Sequence, residues 1–177
     1  PFSEAYKRIR IAYIEAARKR PEEFEEYIPC QVTLTGIGKV EHLDNAGSVP
    51  VAPVGGVVSR QAYMLRIPLD FEYEKEIVEG TYYEYVLTDT IANIQIISLT
   101  AYDESHPAGT DVNELFMDYP LRQEDQLTDY KYGYMYGTVF YKIPRTLPQA
   151  GVHRFKVVVT TRKGEEFTKE TDEITMQ

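Results

Sequence analysis

The sequence has one cysteine, Cys30, and no tryptophan among its 177 residues. A single thiol excludes an intrachain disulfide framework and a cysteine-based zinc cluster. Apolar runs are short, and none approaches the roughly 18 residues that a membrane-crossing helix needs. Positive charge is scarce as well: 19 Lys and Arg against 28 Asp and Glu give a formal net charge of −9. That balance opposes nucleic-acid binding, which depends on cations meeting phosphates. Internal repeats and low-complexity stretches are missing, and 11 Gly with 10 Pro is ordinary usage, which excludes collagen-like readings. Signatures of catalysis are missing too. There is no nucleophile elbow, phosphate-cradling glycine loop or Ser/His/Asp motif.

What remains suffices for a globular domain. Ile, Leu, Val and Phe make up about a quarter of the chain, above the disorder threshold of about 20%. Val, Ile, Thr and Tyr together make a third of it, and these types suit a pleated, half-buried surface. The charge is uneven. Residues 1–20 carry six Lys and Arg against two Glu, so the body that follows is the more acidic for it. In this basic segment Tyr6, Ile9, Tyr13 and Ala16/Ala17 follow helical spacing, with Ser3 as N-cap and Pro21 at the end. The expectation is a helical segment over 1–29, docked on its own domain through Ile9 and Tyr13, and a β-domain over 30–177.

From residue 31 the period falls to two. Val32, Leu34, Gly36, Gly38 and Val40 alternate with Thr33, Thr35, Ile37 and Lys39, and Tyr63, Leu65, Ile67, Leu69, Phe71 and Tyr73 hold one parity. Pro68 inside that second run argues for an edge strand or a bulge. Residues 82–87 and 91–102 read as further strands, the second apolar on both faces through Ile94, Ile96, Ile97 and Leu99. A short helix over 111–116 is expected, capped by Asp111. Residues 152–161 and 165–175 form a hairpin around Lys163-Gly164. About seven strands with no βαβ alternation predict an all-β antiparallel immunoglobulin-like sandwich, whose core includes Leu65, Ile67, Leu69, Ile96, Phe155, Val157 and Val159.

The stretch from Leu147 through Gly151, His153, Phe155, Val157 and Val159 to Gly164 resembles the last hairpin of bacterial immunoglobulin-like domains. His153 stands where many such domains place a corner Tyr, and Phe155 where immunoglobulins proper place a Cys. Residues 89–99 (DTIANIQIISL) and 106–116 (HPAGTDVNELF) resemble uncharacterised secreted lipoproteins of gut Bacteroidetes. That resemblance implies a sandwich in the bacterial cell envelope, periplasmic or at the cell surface, and brings no catalytic residues with it. The chain opens at Pro1, and the expectation is an upstream segment that would carry any membrane anchor.

Candidate chemistry is thin. His42, His106 and His153 lie far apart with no partner at metal-ligand spacing, so no metal or other cofactor is expected. Asp103, Glu104, Asp111, Asn113 and Glu114 offer oxygen ligands without the EF-hand spacing, and solvated-loop and capping roles explain them equally. The tyrosine run has more functional colour. Tyr130, Tyr132, Tyr134 and Tyr136 share one parity, and on a strand four phenols would project from one face. Half-buried core placement explains the same pattern. The expected function is a non-enzymatic binding or structural module whose partner is a protein or a neutral glycan. A carbohydrate-binding module using the tyrosine strip comes second, and a hydrolase with an unrecognised acidic cleft third.

Overall fold

The period-two runs become strands, in more pieces than the seven or so expected. A computed structural model describes residues 4, 7–10, 27–76, 78–119, 128–129, 134–135 and 139–177. In chain order the strands are β1 (Ile28–Ile37), β2 (Glu41–Asp44), β3 (Val57–Val58), β4 (Tyr63–Tyr73), β5 (Tyr83–Leu87), β6 (Ile91–Ser98) and β7 (Phe116–Asp118). They continue with β8 (Thr128–Asp129), β9 (Tyr134–Met135), β10 (Val139–Pro144), β11 (Gly151–His153), β12 (Phe155–Thr161), β13 (Glu166–Glu170) and β14 (Ile174–Met176). The largest sheet runs β5-β1-β4-β10-β7, with β2 also paired to β4. Beside it stand the sheets β13-β12-β6 and β11-β14-β3, and the small pair β8-β9. The fold is mostly β, with sandwich-like sheets. Of the expected N-terminal helix, Glu4 and residues 7–10 are described and are helical, and Ile9 is half-buried. Ser3, Tyr6, Tyr13, Ala16, Ala17 and Pro21 lie outside the described residues.

One core joins the sheets. Leu65, Ile67 and Leu69 of β4, Ile94 and Ile96 of β6, and Phe155, Val157 and Val159 of β12 belong to a single buried cluster. All seven expected core residues are in it. Phe155 sits where the elements converge: its ring lies 6.1 Å from that of Tyr63, 5.9 Å from Phe116, 6.4 Å from Tyr102 and 6.2 Å from His153. The His153 ring stacks on it and the others meet it edge-on or tilted, contacts that each add modestly to the burial of large rings.

Pro68 does not mark an edge. β4 is central, paired with β10 on one side and with β1 and β2 on the other. Proline is tolerated because of where its missing N–H points. The carbonyl of Pro68 accepts a hydrogen bond from Gly38 N–H at 2.9 Å, so its backbone faces the gap between β1, which pairs from Leu69 onward, and β2, which pairs up to Arg66. No ladder donor is required there. Gly38 suits the same gap, since a Cβ on it would come within 3.0 Å of the Pro68 ring. On β1 the expected alternation holds for Val32 and Leu34, then a register shift between Leu34 and Gly36 turns Ile37 inward instead.

The sheets are not wholly antiparallel. β1 is inserted between β4 and β5, and it runs parallel to β5. The nine residues from Glu74 to Tyr82 can reach about 30 Å, whereas stepping across one intervening strand takes about 10 Å. A local hairpin is therefore not forced. The C-terminal hairpin is divided too. β12 and β13 pair around Gly164 (φ 91°), while β11 and β14 pair in another sheet. The step occurs at Arg154 and Thr171, where Thr171 N–H donates to Phe155 O and Phe155 N–H donates to Thr171 Oγ1 at 3.0 Å. The expected helix over 111–116 is instead a short 3-10 turn, Asn113–Leu115, leading into β7. Asp111 is not its cap: Val112 stands in that position with no side-chain cap bond, and the Asp111 carboxylate instead accepts from Asn113 N–H at 3.0 Å and from Ile96 N–H at 3.2 Å, tying the turn to β6.

Removing the central ring should be severe. Phe155→Ala is expected to cost about 3–5 kcal/mol in urea unfolding, against less than about 0.5 kcal/mol for the exposed Val54→Ala. Comparable small losses at both positions would contradict the convergence on Phe155.

Candidate functional site

The tyrosine run is placed only in part. Tyr134 belongs to the backbone of β9, paired with Asp129 of β8. Tyr130, Tyr132 and Tyr136 lie outside the described residues, so the strip of four phenols is neither assembled nor dispersed. Phe140, which continues its parity, is buried in the core.

A different group of tyrosines is assembled. Cys30 pairs with Tyr85, Val32 with Tyr73 and with Leu87, and Ile28 with Tyr83. Directly paired residues share a face, and Cys30 and Val32 are buried. Tyr73, Tyr83 and Tyr85 thus line the inner face of the large sheet where it ends at β5. Their rings touch: Tyr73 and Tyr85 meet edge-on at 6.4 Å, Tyr83 and Tyr85 tilt together at 6.0 Å. All three are half-buried. Burial pushes the phenols of Tyr73 and Tyr85 up to about 12, so both are neutral hydroxyls at physiological pH. The Tyr83 hydroxyl donates to Glu76 O at 3.1 Å and accepts from Val78 N–H at 3.4 Å. The hydroxyl of Tyr85 is buried and has no hydrogen-bond partner among the described residues. Leaving such a group unmatched costs about 1–3 kcal/mol.

The remaining polar groups hold the fold together. His106 Nδ1 lies 2.7 Å from Asp103 Oδ1, and the same oxygen accepts from Ser105 N–H at 2.9 Å, closing a turn. The His106 hydrogen bond leads in holding the Asp103 carboxyl below its ordinary value. Lys142 is buried beside Phe140, with its ammonium 2.8 Å from Asp118 on the neighbouring strand. Among the described residues, no group of three or more His, Cys, Asp and Glu converges as a metal ligand set. No described helix is long and apolar enough to cross a membrane.

The other two histidines are clamps. His42 Nε2 lies 2.7 Å from Asp172 O and its Nδ1 lies 2.6 Å from the Tyr63 hydroxyl. A carbonyl only accepts, so Nε2 carries the proton and the hydroxyl donates to Nδ1. His153 Nε2 likewise donates to Gln149 O at 2.6 Å, leaving a buried Nδ1 that is unmatched among the described residues. Burial is the leading cause that lowers both imidazoles from 6.5. The unfolded chain therefore binds more protons than the folded one just below that value. Stability is expected to be full above pH 6.5 and to fall as pH drops toward 5, read as the urea midpoint. His153→Gln should flatten that slope, and a midpoint that rises on acidification would contradict the neutral clamps.

Comparison with known proteins gives a family and no activity. Residues 37–172 match a family model described as a domain of unknown function, DUF5034. No curated protein matches the sequence. Among solved structures the chain is similar to one titled "BspA_C_mut", at 9% identity and a TM-score of 0.28, covering 80% of this chain and 46% of that one. It is also similar to the wild-type C-terminal domain of the AgI/II polypeptide BspA from Streptococcus agalactiae, at 9% identity and a TM-score of 0.26, covering 80% and 49%. The chain spans about half the length of these solved chains. At such scores neither likeness contributes to the reading of the site.

Proposed function

The chain belongs to the DUF5034 family, and we propose that it is a non-enzymatic binding module whose ligand surface is the tyrosine-lined end of β1, β4 and β5. The observation that carries this reading is the half-buried ring of Tyr85 at the sheet margin, in contact with the half-buried rings of Tyr73 and Tyr83. The rings beside it offer flat apolar area with polar rims, suited to a protein segment or a neutral sugar. An anionic glycan would meet an acidic body. An immunoglobulin-like arrangement of the longer strands and residence in the bacterial cell envelope belong to the same proposal, supported by the sequence resemblances of the final hairpin and of residues 89–116.

Two substitutions test the surface. Tyr85→Phe removes only the hydroxyl, so it should leave the urea midpoint unchanged or raise it, because an unmatched polar group is lost. The full chain displayed against arrays of neutral oligosaccharides and of peptides should capture ligands that Tyr83→Ala weakens and that Tyr85→Phe, which keeps the ring, does not. Ligands unaffected by Tyr83→Ala, or weakened only by Tyr132→Ala with Tyr134→Ala, would contradict this placement of the site.

A further inference from the structure

Among the described residues, the same end of the molecule carries a strand edge with no partner on its outer side. The β1–β5 ladder starts with Ile28 N–H donating to Tyr82 O and ends with Thr88 N–H donating to Val32 O, both at 3.0 Å. Backbone direction alternates along a strand, so residues 82, 84, 86 and 88 face β1. The amides and carbonyls of Tyr83, Tyr85 and Leu87 point the other way. Among the described residues, β5 pairs with β1 alone.

Side chains along this edge are sorted by face. Tyr83, Tyr85 and Leu87 are half-buried on the inner face, whereas Glu84 and Val86 are exposed on the outer one. The surroundings are acidic. Residues 70–88 hold Asp70, Glu72, Glu74, Glu76, Glu79 and Glu84 against the single cation Lys75, and residues 27–38 hold no charge. The Lys75 ammonium is engaged with Pro29 O at 2.6 Å, and Glu74 accepts from Gln31 N–H at 3.0 Å. No salt bridge among the described residues neutralises Glu72, Glu76, Glu79 or Glu84. Such charges on an edge discourage a second copy of the same strand. They favour a strand of opposite charge.

We propose that β5 accepts an extended, cationic segment of another protein as an added strand. This deepens, and rests on, the reading of the tyrosine-lined end as the binding surface. The backbone of Tyr83, Tyr85 and Leu87 supplies the ladder, which is how exposed sheet edges recognise extended peptides. Face sorting sets the pattern of the partner. Its inward side chains are apolar and pack on the Tyr83 and Tyr85 rings; its outward side chains are Lys or Arg and meet Glu84 and the neighbouring carboxylates.

The test uses the full chain and a fluorescein-labelled nonapeptide that alternates lysine and valine, followed by fluorescence anisotropy at about 50 mM salt. Saturable binding is expected. It should weaken about tenfold with the double variant E79K/E84K, and about tenfold when a central valine of the peptide is replaced by proline, which cannot complete the ladder. Equal binding of the proline-containing peptide, or of an all-lysine peptide, would reduce the effect to charge attraction and overturn strand addition. No binding, or a wild-type chain that dimerises through β5 and so excludes the peptide, would overturn it as well. The two readings separate cleanly. Array ligands lost in Tyr83→Ala while the peptide fails to bind leave the tyrosine surface standing and this inference overturned. Peptide affinity unchanged in Tyr83→Ala would overturn the inference as well, because the inward side chains of the peptide would then not pack on that ring.

Discussion

The structure depends on one point of convergence, the ring of Phe155. It belongs to β12, yet it touches Tyr63 at the start of β4, Phe116 of β7, Tyr102 of the loop after β6, and the imidazoles of His42 and His153. Those residues come from every principal sheet. Both chain breaks that let the C-terminal hairpin change sheets lie beside it, one at Arg154 and the other at Thr171, whose backbone and hydroxyl bond to Phe155 itself. Large rings in edge contact fill volume that aliphatic side chains would leave open, and the two imidazoles reach carbonyls that the sheet ladders do not use. Burial holds both imidazoles neutral, so the same packing that joins the sheets makes the molecule sensitive to acid.

The aromatic residues at the β5 end are of a different kind. Around Phe155 the rings are sealed and Tyr63 and Tyr102 have partners for their hydroxyls, Tyr102 donating to Thr146 O at 2.6 Å. At β5 the rings are half-buried, and among the described residues the strand pairs on one side, leaving backbone groups facing outward. The molecule thus combines a closed aromatic core with an unfinished aromatic margin bordered by carboxylates. That contrast, more than the tyrosine content itself, supports a binding role for the margin.

Much of the core was legible in the chain. Period two over 63–73 and 152–161 identifies β4 and β12 and their inward residues, because alternation is a local property of a half-buried strand. Pro68 argues for an edge strand or a bulge, whereas β4 is central and its partner on one side changes from β2 to β1 at that residue. A missing donor normally belongs at an edge, and here it falls in the gap between two partners of a central strand, which only the three-dimensional pairing reveals. The candidate site failed to appear for a related reason. Tyr73, Tyr83 and Tyr85 are spread over two strands, and they meet because β1, from some forty residues earlier, is inserted between β4 and β5. Strand order is not encoded in hydrophobic period. The run Tyr82-Tyr83-Glu84-Tyr85 is the signal that the chain offers, shorter than the tyrosine run at 130–136.

The claim at the centre of this account is a sealed body that ends in an open edge. Residue-resolved amide hydrogen exchange on the full chain addresses it directly. The account predicts that amides of Leu65, Ile67, Val157 and Val159 exchange only through global unfolding, while the outward amides of Tyr83, Tyr85 and Leu87 exchange orders of magnitude faster. Protection of those three amides equal to that of the core strands would contradict it.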